Sequence, residues 1–401
     1  MGKKRSDASQ GMGSMILALI SFAVLDALVL IWGLKLRGFW LWLVIIVFLL
    51  FLLPLPYLHW LMKGARQPGF WTAFFLVRPV FAWHFNWIAF VFFVAPLILV
   101  LRIISGFWGS DLIITILRWW VLVISAIWGI ITIYGLAGTL RPAEVEKLEL
   151  KIPGLAAKDD GLRVVQISDL HISWWNSRAE MDRIGEKVKD LNPDLLLITG
   201  DIADHNPEYV NAFADGLEQV KPRLGRYAII GNHDVYTDAE AVAERMEARG
   251  FRMLRRELVN LREQGADLAL GGMDDSGLNW TGADPDEKDI AKIIARAPSD
   301  LVIIWLGHRP SCFEVIKGLP VALTLAGHTH GGQLKLPFGW PGLADLGFAR
   351  TSGFYQENGQ MLYVSRGMGT VGWPFRINCP AEITLIVLRS SESGAFLRKE
   401  K

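Results

Sequence analysis

The sequence predicts an N-terminal α-helical transmembrane bundle followed by a layered α/β domain with two sheets, and three observations carry that reading. The first 140 residues of this 401-residue chain hold nearly all its long apolar runs and most of its 17 Trp, whereas the rest reads as a charged globular sequence. Beyond residue 140, helical patterns alternate with apolar strands, which implies a layered α/β domain. Five of those strands stop abruptly at residues of metal-ligand type: LRVVQISDLH, DLLLITGD, RYAIIGNHD, DLVIIWLGH and VALTLAGHTH. Packing alone does not explain five repetitions of that pattern.

Bulk composition excludes some functions. A formal net charge of +1 argues against nucleic-acid binding and against an electrostatic trap for acidic substrates. The two cysteines, Cys312 and Cys379, are too few and too far apart in sequence for a disulfide framework and read as small hydrophobes. No protein partner is inferable.

Four spans are expected. Met15 to Leu34 is long enough to cross a hydrocarbon core of ~30 Å. Lys35-Leu36-Arg37-Gly38 then turns the chain into a second run, Phe39 to roughly Leu58, which ends near Pro54 and Pro56. A third span fits Ala82 to Leu101 and a fourth Leu112 to Leu136. The first span starts too late and runs too long for a cleaved signal peptide. With four spans, one membrane face receives Lys3, Lys4, Arg5, Lys63, Arg66, Arg78, Arg141, Lys147 and Lys151, and the other only Lys35, Arg37 and Arg102. The positive-inside bias therefore predicts a cytoplasmic soluble domain. Phe70 to Phe81, broken by Arg78-Pro79, reads as an interfacial or re-entrant piece; a fifth span there would move the domain to the other face. Asp26 and Arg118 lie inside spans, where ionisable groups suggest either function or a structural, snorkelling arrangement.

The expected boundaries are 1–140 for the transmembrane domain, 141–160 for a linker and edge strand, 161–390 for the soluble domain and 391–401 for a polar tail. Pro142 stops any helix that runs this far, and the alternation of Glu146 to Ile152 reads as an edge strand. Helical patterns cover Arg178 to Leu191, Pro207 to Val220, Asp238 to Arg249, Pro285 to Ala295 and Ser311 to Lys317. Late strands at Met361 to Ser365 and Ile383 to Leu388 need no helix between them, which points to a second sheet facing the first.

The strand ends carry the chemistry. Asp169 and His171, two apart, are expected on one face of a strand end, where they can share an ion. Asp201 offers two oxygens able to bridge two cations, Asn232 a neutral oxygen, and His308, His328 and His330 imidazoles. Seven N/O donors without a thiolate fit two divalent ions such as Mn, Fe or Zn.

The order Asp-X-His, Gly-Asp-X-X-Asp, Gly-Asn-His-Asp, Gly-His, Gly-His-X-His resembles the calcineurin-like metallophosphoesterases over roughly Leu162 to Leu388. ISDLH, GHTHGGQ and VSRGMGT followed by FRINCPAEI look like the bacterial membrane-associated branch. The resemblance implies an α/β/β/α two-sheet sandwich in a multi-pass protein of the cell (inner) membrane. It assigns one metal to Asp169, His171, Asp201 and His330, and a second to Asp201, Asn232, His308 and His328. It further implies attack on phosphorus by a hydroxide shared between the ions, with His233 as general acid and Asp204 as the group that orients it. The competing readings are a backbone-bonded loop histidine for His233 and a helix N-cap or turn residue for Asp204. Asp204 is followed by His205-Asn206 rather than Arg-Gly, and the third motif ends in Asp234, which argues against a phosphoprotein phosphatase. Arg366 fits either a substrate phosphate or a structural salt bridge. Asp274-Asp275 looks like a loop signature without an assigned role, and His59, His84 and His205 fit no motif.

Four spans exceed what an anchor needs, so the expected substrate is itself in the bilayer: a lipid-linked phosphodiester or pyrophosphate, of which the resemblance to the wider family offers a UDP-diacylglucosamine-type precursor as one form. The alternative is a transport or scaffold protein that keeps a phosphoesterase-like domain as a binding module, with Asp26 and Arg118 as its working residues.

Overall fold

The computed structural model describes residues 2–64, 66–108, 111–279, 283–335, 341–342 and 344–390; the expected polar tail, 391–401, lies outside the described residues. Two compact units are present, one of Met1–Leu140 with Gly372–Phe375, the other of Arg141–Val371 with Arg376–Lys401.

In the first unit the apolar runs form helices α1 (Gly2–Gly33), α2 (Phe39–Leu52), α3 (Leu55–Lys63), α4 (Arg78–Phe93), α5 (Ala95–Trp108) and α6 (Asp111–Gly138). A helix satisfies its own backbone groups, which lipid would otherwise leave unpaired. Among the described residues four stretches are long and apolar enough to cross a membrane: Met15–Gly33, Phe39–Lys63, Phe70–Phe92 and Asp111–Gly138. The third differs from the expected Ala82 to Leu101. Pro79 falls in the first turn of α4, where its missing N–H costs nothing, and a π-helical turn, Ala73–Val77, joins Phe70 to it. Buried Arg78 donates to Thr139 Oγ1 (3.2 Å), so its charge does not end the segment. The break comes later, where Pro96 cannot donate within the helix and a shorter apolar helix begins at Ala95.

The two intramembrane ionisable residues part company. Arg118 donates from Nε to Leu34 O (2.9 Å) and from Nη2 to Lys35 O (3.1 Å), closing the carbonyl end of α1. Asp26 is fully buried, and neither carboxylate oxygen has a hydrogen-bond partner among the described residues.

The second unit holds two six-stranded sheets. The first combines β1 (Glu144–Ile152), β2 (Arg163–Ile167), β3 (Leu195–Thr199), β4 (Arg226–Ile229), β5 (Arg252–Met253) and β12 (Glu382–Ser390) in the order β1-β12-β2-β3-β4-β5. The second combines β6 (Glu257–Asn260), β7 (Leu268–Gly272), β8 (Val302–Leu306), β9 (Leu323–Ala326), β10 (Gly353–Glu357) and β11 (Gln360–Val364) in the order β10-β11-β9-β8-β7-β6. β2, β3, β4 and β5 run parallel, as do β7, β8, β9 and β11. Parallel strands covered on both faces read as continuous apolar runs, and every residue of β3, β7, β8 and β9 is buried.

Alternation along those strands divides the core. Leu195, Leu197, Ile304, Leu306, Leu323 and Leu325 meet between the sheets. Ile303 and Trp305 point the other way, onto α11 (Ile290–Ile294) and α12 (Cys312–Ile316). The remaining helices, α7 (Arg178–Asp190), α8 (Val210–Gly216), α9 (Asn232–Thr237) and α10 (Ala239–Glu247), intervene between the strands of the first sheet. The result is the α/β/β/α sandwich, in which the C-terminal ends of β2, β3 and β4 in one sheet and of β8 and β9 in the other open on one region.

Candidate metal centre

Three of the five strand ends, those of β2, β3 and β9, pass into a residue or two that a strand cannot hold. Asp169 (φ 51°), His171 (φ 46°), Asp201 (φ 52°), His328 (φ 70°) and His330 (φ 52°) all adopt left-handed backbone conformations, which cost an L side chain free energy and persist only where the surroundings enforce them. Asp169 and His171 therefore do not share the face of a strand, as their spacing predicts. β2 ends at Ile167, and both residues are aimed by turns locked to the neighbouring loop: Asp169 N donates to Gly200 O (3.1 Å) and His171 N to Asp201 O (3.0 Å).

The seven expected ligands converge in two groups. Asp169, His171 and His330 form one, with His171 Nε2 and His330 Nε2 only 2.9 Å apart. Asp201, His308 and His328 form the other, with His308 Nε2 at 3.2 Å from His328 Nδ1 and 3.0 Å from Asn232 Oδ1. Asp201 Oδ2 lies between them, 3.5 Å from His171 Nε2 and 3.2 Å from His308 Nε2. The opposite nitrogens fix the tautomers. His308 Nδ1 donates to the carbonyl of Thr199 (2.8 Å), and His171 Nδ1 faces both oxygens of Asp204 at 3.1 Å. In their neutral forms His171 and His308 then present Nε2 lone pairs toward Asp201 Oδ2, points that a cation fits. Buried Asp169 Oδ2, which has no hydrogen-bond partner among the described residues, offers a further unused lone pair there.

The electrostatics agree with the geometry. Burial alone would lower the basicity of His308, yet the charge and hydrogen bond of Asp201 override it and push the imidazole up to about 10, so the pocket draws positive charge to this point. His330, buried beside His171 and Arg376, is held well below the usual histidine range and stays neutral, the form that ligates. Burial opposes the charged form of Asp204 too, but His171 and His233 hold its carboxyl well below the ordinary range.

His233 lies at the rim, its side chain 24% exposed, with Nδ1 2.8 Å from Asp204 Oδ1. Asp204 thus faces the rings of His171 and His233 together. Arg366 packs its side chain beside Gly331, next to His330, but its guanidinium is engaged by carboxylates: its Nε donates to buried Glu382 (2.6 Å), and its Nη2 lies 3.4 and 3.7 Å from Glu144 and Glu146. That is the salt-bridge arrangement. His205 sits next to Asp204 but its ring packs on Trp174, with centroids 4.5 Å apart.

Three supporting residues are given no role by the sequence. Asp234 accepts from the N–H groups of Ile202 (2.9 Å), Ala203 (3.0 Å) and Gly231 (2.9 Å), tying the Asn232 turn to the Asp201 turn. Arg376 donates to Gly369 O, His330 O and Arg366 O, with Nη2 3.3 Å from His330 Nδ1, and so clamps the His330 turn. Asp275 forms a buried two-pronged ion pair with Arg309, the residue after His308 (2.5 and 2.7 Å). The signal for Asp234 is its place in the Gly-Asn-His-Asp motif, and that for Arg376 its place in FRINCPAEI.

Residues 162–332 match the family profile described as calcineurin-like phosphoesterase. A zebrafish (Danio rerio) transmembrane protein with metallophosphoesterase domain is 34% identical over 269 residues, 65% of this chain and 61% of that protein. The uncharacterized metallophosphoesterase YkuE of Bacillus subtilis is 32% identical over 64% of this chain and 90% of its own length. The UDP-2,3-diacylglucosamine pyrophosphatase LpxG of Chlamydia muridarum is 28% identical over 61% of this chain and 88% of that protein. This chain thus spans about three fifths of the zebrafish relative.

Proposed function

The chain belongs to the metallophosphoesterases, carrying a calcineurin-like domain behind apolar helices, and from that premise we propose that it is a binuclear phosphodiesterase or pyrophosphatase whose substrate is lipid-linked. That it is a metal-dependent phosphoester hydrolase follows from the family. The observation that supports two ions is the single oxygen, Asp201 Oδ2, that faces both imidazole groups.

Asp169, His171, Asp201 and His330 would hold one ion, and Asp201, Asn232, His308 and His328 the other. Such ions supply an activated water and neutralise charge on the phosphoryl oxygens. The chain's own groups do the rest. Thr199 O and the Asp204 carboxylate orient His308 and His171 by their far nitrogens. With Nδ1 engaged by Asp204, His233 presents Nε2 at the rim, the place from which a proton passes to a departing oxygen. The four apolar spans, far more than an anchor requires, and the pyrophosphatase activity named for the Chlamydia relative support a substrate of the UDP-diacylglucosamine class.

The test uses the detergent-solubilised chain and its Asn232→Ala variant on a model diester, a model monoester and a lipid pyrophosphate, with Mn, Fe or Zn added singly. Hydrolysis that requires the ion, disappears in the variant and is fastest on the lipid is the expected result. Equal rates on soluble diesters would remove the lipid from the proposal. One observation favours the transport reading, the buried Asp26, whose carboxylate has no hydrogen-bond partner among the described residues; loss of a cellular function in Asp26→Asn with hydrolysis intact would favour it.

A further inference from the structure

The metal centre has a built lip on the His233 side. Tyr236, one turn further along α9, is 54% exposed, and its ring lies 5.5 Å from that of His233, tilted by 58°. Its hydroxyl donates to Gly277 O (3.0 Å), so the ring is held at both ends. Gly277 belongs to the segment after β7, where it adopts φ +73° with its α-carbon packed so closely on Val235 and Tyr236 that a Cβ would lie 2.8 Å from Val235. The segment is itself anchored: Asp275 accepts from Gly277 N (2.8 Å) and pairs with Arg309, whose Nη1 donates to Asn279 O (2.6 Å). Leu278, 59% exposed, is carried outward between these anchors. The Asp274-Asp275 signature thereby acquires a purpose, since Asp275 fixes this lip to the residue that follows ligand His308.

The Tyr236 ring is thus fixed in place beside the candidate acid while the residue stays 54% exposed, open to a ligand. We propose that Tyr236, supported by Leu278, is a specificity-determining subsite that stacks on a planar ring carried by the leaving group, the chemistry of a nucleoside monophosphate. The inference rests on the reading of His233 as the group that meets the departing oxygen: whatever departs past His233 passes Tyr236 next. A fixed flat face selects a ring over a flexible chain, because a ring stacks without losing torsional freedom.

The experiment measures competitive inhibition of nitrophenyl-diester hydrolysis by UMP, ribose 5-phosphate and inorganic phosphate, using the Mn-loaded, detergent-solubilised full chain. UMP should bind better than ribose 5-phosphate. Tyr236→Ala should weaken UMP roughly tenfold while the other two change by less than about twofold; Tyr236→Phe should retain UMP binding. Tyr236→Leu, which keeps bulk without a ring, should behave like Tyr236→Ala and covers the case in which the alanine variant does not fold. Equal weakening of all three inhibitors, or UMP no better than ribose 5-phosphate for the unaltered chain, would overturn the proposal. Calorimetric titration of the same three ligands into the Mn-loaded chain reads the subsite without turnover. UMP selectivity there with no hydrolysis of any ester would sink the reaction assignment and leave the subsite standing.

Discussion

Asp204 carries the strongest expectation at the scale of a single residue, because one carboxylate serves two rings. Its oxygens face Nδ1 of His171, which makes it the outer partner of a candidate metal ligand, and Nδ1 of His233, which makes it the orienting partner of the candidate acid. Asp204→Asn keeps the size but loses the charge and places an NH2 against one N–H. Metal affinity should fall by about 10- to 100-fold, and kcat by about 100-fold or more at saturating metal. His233→Asn should lower kcat to a similar degree while metal affinity changes little. Calorimetric metal titration beside steady-state kinetics separates the two; a kcat defect in Asp204→Asn with unchanged affinity would mean that its bond to His171 is idle. The sign of the pH effect follows from its depressed carboxyl. Asp204 is charged throughout the neutral range, and its contribution to stability is lost only as pH falls below the usual carboxylate range.

Among the elements, the parallel strands and their tight exits set the geometry, and glycine is required where two exits touch. A Cβ on Gly327 would lie 2.0 Å from Ser168 Oγ and 2.3 Å from Asp169 Oδ2, so Gly327→Ala pushes the β9 exit off the β2 exit. The expected outcome is loss of most metal binding with circular dichroism unchanged; full metal occupancy at normal activity would show that the exits slide independently. These exits were legible because a buried apolar run that ends in Asp, Asn or His breaks the rule that polar residues stay out of strands. All seven candidate ligands are picked out by that one signal. Short edge strands carry no such signal: β5 has two residues, and β6 and β10 are partly exposed and polar, so none stood out from a loop. The third span was misjudged for a different reason. Arg78-Pro79 reads as a break by residue type, and only the Thr139 hydroxyl and the first-turn position of the proline show why it is not one. Arg376 lies within the FRINCPAEI motif, but only folding shows that it clamps the His330 turn.

For the molecule as a whole, the centre makes stability depend on metal and on pH in a coupled way. In the metal-free chain His308 binds its proton up to about 10 and His233 up to about 9, both above the ordinary histidine value, so each adds stability that is fully present below about 6.5 and is lost as pH rises through the folded values. His330 has the opposite sign: its depressed value costs stability only as pH falls below the ordinary range. Above neutrality the first two dominate, and the metal-free chain should weaken with rising pH. A divalent ion at His308 displaces that proton, so apparent metal affinity rises by up to about tenfold per pH unit, equivalent to about 1.4 kcal/mol, over the same window. Thermal unfolding with Mn and with a chelator, followed from pH 6.5 to 8.5, should therefore show a gap in Tm that widens with pH, because ions at free concentration c that bind only the folded state stabilise it by RT ln(1 + c/Kd), which grows as Kd falls. His308→Gln should shrink the gap and flatten its slope. A gap independent of pH would mean that no proton leaves when the ion enters, and the assignment of His308 Nε2 as a ligand atom would be wrong.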